Sequence, residues 1–158
     1  AAAGRSVVLM PGHGRRIPLA DRGSEVTIKA TGDETGGRLA VVESAPAPGA
    51  PGLPPHRHRR SDEALYVVEG EVDIRVGGQM VRAAAGSFVF VPRGTVHAFS
   101  NPGPAAARVL VVFVPAGLEQ FLEDTAAAFP AGGPPPDARR LAEIRRRHDT
   151  ALADPPGA

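Results

Sequence analysis

Between residues 71 and 76 the chain alternates strictly, with Glu71, Asp73 and Arg75 set against Val72, Ile74 and Val76. A two-residue period belongs to a strand with one buried face. Gly77-Gly78 follows and a second β-rich run begins at once, so the pair reads as a two-residue hairpin turn. The same reasoning marks strands over residues 6–10, 26–30, 38–44, 64–76, 79–83, 87–91, 96–100 and 108–114. The run 87–91 is apolar from Phe88 to Val91, the pattern of a strand covered on both faces. Many short strands with glycine and proline between them predict an all-β sandwich or barrel.

After Pro115 the period changes. Leu118, Phe121, Leu122 and Thr125 recur at helical spacing, predicting a helix over 117–129. Residues 130–136 are too rich in proline and glycine for regular structure. Asp137 can cap a second helix over 138–148, with Leu141 and Ile144 on one side. Residues 153–158 read as a frayed end. The expected organisation is a barrel over 1–116, a helical extension packed on it over 117–150, and a tail over 151–158.

Composition changes this picture little. The chain has 158 residues, 42% apolar and 22% charged, with a net charge of +1. One domain with a real core is expected, and neither nucleic acid nor membrane as a partner. Lys29 is the single lysine, so arginine is the default cation and individual arginines carry little signal. The absence of cysteine removes disulfides, thiolate metal sites and cysteine nucleophiles. The first apolar run is too short for a signal-peptide core, and no stretch reaches the about 18–20 apolar residues of a membrane helix. The expected compartment is cytoplasmic.

Chemistry concentrates in "PPHRHRRSDEALYVVEG", residues 54–70, where two of the five histidines stand one residue apart. In an extended strand His56 and His58 aim at one point. Glu63 would face the opposite side of an unbroken strand. It joins them only if 59–62 makes a turn. The alternative is a solvated polar loop. A second region, "GSFVFVPRGTVHAFSN", residues 86–101, sets Pro92-Arg93-Gly94 as a tight turn before His97. A lone histidine in an apolar strand is by default a core or rim residue with one hydrogen bond.

Together the two regions resemble the paired motifs of the cupin superfamily. The first, His-x-His, four residues, Glu, six residues, Gly, is filled by His56, His58, Glu63 and Gly70. The second, Gly, five residues, Pro-x-Gly, two residues, His, three residues, Asn, is filled by Gly86, Pro92, Gly94, His97 and Asn101. Nine positions at fixed offsets, spanning 50–101, are far more specific than a lone motif. One position departs: Ala50 stands where the first motif usually opens with glycine. Gly49 and Gly52 flank it, which reads as a small loop shift.

The resemblance implies a single jelly-roll β-barrel with a short helical C-terminal extension, holding one divalent transition metal. His56, His58, Glu63 and His97 would be the ligands. Imidazoles with one carboxylate suit Mn, Fe, Co, Ni, Cu or Zn. The short gap between the motifs and the single barrel are similar to small bacterial cupins of the quercetin 2,3-dioxygenase-like kind. The function so implied is a dioxygenase-like oxidoreductase acting on a small flavonol- or enediol-like substrate. Glu63 would act as ligand and general base in turn. The alternatives are a metal- or small-molecule-binding module without turnover, and an isomerase or cyclase using the same pocket.

Leu53, Tyr66, Val68, Phe88, Phe90 and Phe99 are the candidates to line the substrate pocket, and strand parity leaves their directions open. Arg59 and Arg60 are placed at the barrel mouth. His13 reads as a loop residue, the arginines before His148 as a solvated face, and Asn101 as the stabiliser of the turn after its strand. A homodimer is expected, with the N-terminal strand crossing between subunits.

Overall fold

The computed structural model describes residues 3–20, 23–129 and 135–153. Eleven strands form two antiparallel sheets among the described residues. The six-stranded sheet runs β1 (Arg15–Pro18), β2 (Glu25–Ala30), β3 (Ala40–Ala45), β10 (Arg108–Val114), β5 (Asp62–Glu69) and β8 (Phe88–Val91). The five-stranded sheet runs β11 (Thr150–Leu152), β4 (His56–His58), β9 (His97–Ser100), β6 (Glu71–Val76) and β7 (Gln79–Ala84). The expected all-β jelly roll is present, its wall made of two facing sheets.

Alternation sends one face of each sheet inward. Val26 and Ile28, Ala40 and Val42, Val109 and Val111, and Leu65 and Val67 meet Val72, Ile74 and Ala83 of the other sheet. At about 25 cal/mol per Å² of apolar surface removed from water, this layer is the main source of stability. The β6–β7 hairpin turns through Gly77-Gly78 with Val76 opposite Gln79, as the pattern predicts.

Helix α2 (Leu118–Ala128) lays Leu118 and Phe121 on the core. Its Glu119 is buried and accepts from the Gly32 and Gly117 amides at 2.8 and 2.7 Å. Through Gly32 it holds the short α1 (Gly32–Thr35) in place. Helix α3 (Ala138–Arg147) is capped by Asp137, whose side chain accepts from the Arg140 amide at 2.7 Å, and it buries Ile144. No helix among the described residues is long and apolar enough to cross a membrane.

Four expectations are corrected. Residues 6–10 lie outside either sheet with Val8, Leu9 and Met10 exposed; β-branched composition without a neighbour to pair makes no ladder. The run 64–76 is two strands in different sheets, broken at Gly70. Gly70 has φ 75°, and a Cβ there would stand 2.8 Å from the Ala106 carbonyl oxygen, so only glycine lets the chain cross between sheets. The run 87–91 yields an edge strand with one open face, because β8 pairs with β5 alone. The tail begins as strand: Thr150–Leu152 pairs with β4. Residues 130–134 of the expected linker and 154–158 of the tail lie outside the described residues.

Candidate metal centre

His56 and His58 are the first and last residues of β4 and both face inward, buried to 7% and 4% exposure. His97 opens β9 directly opposite His56, 3% exposed. Glu63 comes from the other sheet. On β5, residues 63, 65 and 67 point inward, so its carboxylate crosses the interior to the histidines. The turn that this demands is present at 59–61. It is held by the Asp149 carboxylate, which accepts from the Arg60 amide at 2.6 Å.

The second motif is pinned to the first by backbone and charge. The Gly94 amide donates to the His58 carbonyl at 2.6 Å. The Arg93 guanidinium grips Asp62 in bidentate fashion, at 3.0 and 2.7 Å, and the Arg93 amide adds a third bond at 2.9 Å. These bonds hold the Asp62 carboxyl at about 2, well below its usual range. They also fix the 92–94 turn against the strand carrying Glu63. Arg93 escaped sequence reasoning because arginine is the commonest polar residue here.

The imidazoles converge through Nε2. His56 Nδ1 lies 2.8 Å from the Pro54 carbonyl and His97 Nδ1 2.9 Å from the Thr95 carbonyl. A carbonyl only accepts, so both Nδ1 atoms must carry the hydrogen. On His56 this leaves a lone pair on Nε2. One ligand atom from each of His56, His58 and His97 lies within 4.8 Å of the others. Glu63 Oε2 stands 3.0 Å from His97 Nε2 and 3.5 Å from His58 Nε2.

The charges follow from these contacts. Burial holds the His56 imidazole neutral down to about 4, and the neighbouring His97 adds to this. Burial opposes ionisation of Glu63 too, but hydrogen bonds from His58 and His97 overcome it and bring its carboxyl to about 2. Burial likewise opposes charge on His97, yet the Glu63 carboxylate and the Thr95 carbonyl hold its proton more tightly than usual.

The buried carboxylate thus lies against His97, whose proton it holds more tightly than usual, in a place where a metal cation would serve equally. Donors about 2.0–2.2 Å from one ion stand about 3.0 Å apart along an octahedral edge and about 3.4 Å along a tetrahedral one. The Glu63–His97 distance of 3.0 Å matches the first, and the Glu63–His58 distance of 3.5 Å lies just beyond the second. Three imidazoles, one carboxylate and their spacing fit a first-row divalent ion.

The other site candidates separate by strand parity. Tyr66 and Val68 lie on the outward face of β5, and Phe88 and Phe90 on the outward face of β8, with exposures from 37% to 65%. They do not line the interior. Leu53 is also exposed, in the loop before β4. Phe99 alone packs against the core. Asn101 does as expected and more: fully buried, its amide donates to the Pro46 and Ala105 carbonyls at 3.1 and 2.8 Å and its carbonyl accepts from the Gly103 amide. Ala50, where the first motif usually opens with glycine, is buried. Gly49 takes the left-handed conformation at φ 73°, and Ala50 pairs with Asn101. Beyond that arginine run, where Arg146 and Arg147 are exposed, His148 bonds Asp124 at 2.7 Å and sits beside Phe121.

The chain is similar to several known proteins. Residues 43–113 match the family described as "Cupin domain". A tetracenomycin polyketide synthase protein, TcmJ, of Streptomyces glaucescens is 37% identical over 81 residues, or 51% of this chain and 52% of that protein. Quercetin 2,3-dioxygenase of Bacillus subtilis (strain 168) is 29% identical over 114 residues, or 72% of this chain and 33% of that enzyme. The chain therefore spans about half the length of the first relative and about a third of the second. The solved structure of KdgF from Halomonas sp. superposes with a TM-score of 0.61 at 25% identity, covering 73% of this chain and 99% of that one.

Proposed function

The chain belongs to the cupin superfamily, and we propose that within it this protein is a metal-dependent, dioxygenase-like oxidoreductase acting on a small flavonol- or enediol-like substrate. The observation that carries the reading is the convergence of three buried imidazoles on a buried carboxylate from the opposite sheet. His56, His58, Glu63 and His97 would hold one divalent transition metal. When bound, the ion would supply Lewis acidity toward a substrate hydroxyl and redox chemistry toward O₂. The similarity to quercetin 2,3-dioxygenase supports the choice of O₂ chemistry.

The chain's own part is positional and electrostatic. The Nδ1 bonds of His56 and His97 fix their rings before any ligand arrives, so the site needs little rearrangement. Glu63 is an anion at neutral pH. A carboxyl held at about 2 is a weak base, so its first role is as a ligand. It becomes the acceptor for the substrate's hydroxyl proton only when His58 and His97 no longer donate to it.

Metal analysis of the purified protein and of His97→Ala, followed by O₂-electrode measurements with a flavonol, tests this. Wild type should carry about one metal per chain and consume O₂, and His97→Ala should lose most of the metal. Equal metal content in both removes His97 from the ligand set. No O₂ uptake by the metal-loaded protein overturns the dioxygenase reading. Similarity to a polyketide synthase protein then favours the second reading, a cyclase or isomerase. That reading expects substrate conversion in the absence of O₂. Metal binding without any conversion would leave a binding module.

A further inference from the structure

We propose that Thr150, on the last strand, is a positioning residue for His58, and that the C-terminal β11 is thereby a working part of the metal centre. The inference rests on the metal reading above, and it concerns residues outside both sequence motifs.

Of the three imidazoles, His56 and His97 direct Nδ1 to backbone carbonyls of their own local loops. His58 does not. Its Nδ1 lies 3.2 Å from Thr150 Oγ1, in a fully buried contact between residues 92 apart in sequence. The Thr150 hydroxyl has a single hydrogen, and it donates that to the His148 carbonyl at 3.3 Å. Its lone pairs are then what faces His58, so when a metal takes Nε2, which otherwise donates toward Glu63, the ring carries its hydrogen on Nδ1 and donates it to Oγ1. A hydroxyl relay from the end of α3 therefore stands ready to hold this ring in the tautomer and tilt that a metal needs.

The surroundings are built for the task. Thr150 is 6% exposed and stands directly opposite His58 in the β4–β11 ladder. Asp149, one residue earlier, adopts φ 57°, a left-handed conformation that costs a non-glycine residue about 1–2 kcal/mol. It turns the chain from α3 into β11 and places its carboxylate on the Arg60 amide. That amide lies in the turn that brings Glu63 back toward the histidines. The α3–β11 corner thus braces His58 through Thr150 and the 59–61 turn through Asp149. The Ala153 amide closes the ladder on the Pro55 carbonyl at 2.9 Å.

The experiment uses the full chain as wild type, Thr150→Val and Thr150→Ser. Valine keeps the branched shape and removes the hydroxyl; serine keeps the hydroxyl. Zn²⁺ and Co²⁺ affinities are measured by competition with a chelator. Thr150→Val should bind about 10- to 100-fold more weakly than wild type, and Thr150→Ser within about threefold of it. In Zn²⁺-loaded protein carrying ¹⁵N-labelled histidine, His58 should show a slowly exchanging Nδ1 proton in wild type and Thr150→Ser, and a fast-exchanging one in Thr150→Val. If the valine chain fails to fold, Thr150→Ala is compared with Thr150→Ser in the same way.

Equal affinity in wild type and the hydroxyl-free variant overturns the proposal, as does a serine variant as weak as the valine one. A wild-type chain that binds neither ion defeats the metal reading, and the proposed role of Thr150 falls with it. Absence of the slowly exchanging Nδ1 proton in wild type, with metal still bound, defeats the positioning role alone.

Discussion

His56 and His97 are neighbours with opposite preferences, and the difference is written in what each touches. His56 is buried with only a carbonyl at Nδ1, so its charge is disfavoured; His97 faces Glu63, so its charge is held. The unfolded chain protonates His56 at about its ordinary 6.5, whereas the folded chain refuses the proton down to about 4. Between those values the unfolded state binds more protons, so stability must fall as pH falls. Glu63 continues the trend from its ordinary 4.5 to about 2. His97 acts the other way, its contribution being lost as pH rises through its raised value. Chemical denaturation of the metal-free protein should therefore show a loss of about 1–3 kcal/mol between pH 6.5 and 4. In His56→Gln that slope should flatten. An unchanged slope would show that His56 does not carry it.

Among the elements, the loop before β4 shows how a local requirement becomes a tertiary one. Gly49 and Gly52 share the left-handed conformation, at φ 73° and 70°. A Cβ on Gly49 would meet open space, whereas one on Gly52 would collide with the Phe99 carbonyl oxygen of β9. Gly49→Ala should cost about 1–2 kcal/mol, the conformational term alone. Gly52→Ala should cost clearly more, because a backbone atom of the strand carrying His97 has to move. Thermal midpoints of the two variants decide it, and equal losses would refute the close approach. The strands of the two motifs were legible in sequence because alternation and turn glycines are local signals. Strand β11 was not: Thr150-Ala151-Leu152 is too short to show a period and gains its ladder only by meeting β4.

At the scale of the whole molecule, the six-stranded sheet carries exposed apolar side chains on its outward face, where Tyr66 stands opposite Phe88 and both are exposed, with Phe90 beside them. This face adjoins the unpaired edge of β8, and an open edge with an apolar face favours association. The expected state is a homodimer. Light scattering coupled to size exclusion should give twice the chain mass for wild type, and about half that value for Phe88→Glu/Phe90→Glu with metal content retained. A monomeric wild type would refute it. The amino-acid order alone determined the nine offsets of the two motifs, the positions of most strands and the types of the four proposed ligands, since each depends on near neighbours, side-chain chemistry or glycine's backbone freedom. Only the folded chain decided which face of each strand looks inward, and so moved Tyr66, Val68, Phe88 and Phe90 from the interior to the surface. It also decided that Glu63 meets the histidines from the opposite sheet and that Thr150 supports His58. Those outcomes depend on register and on contacts between residues as far as 92 positions apart, which no local period encodes.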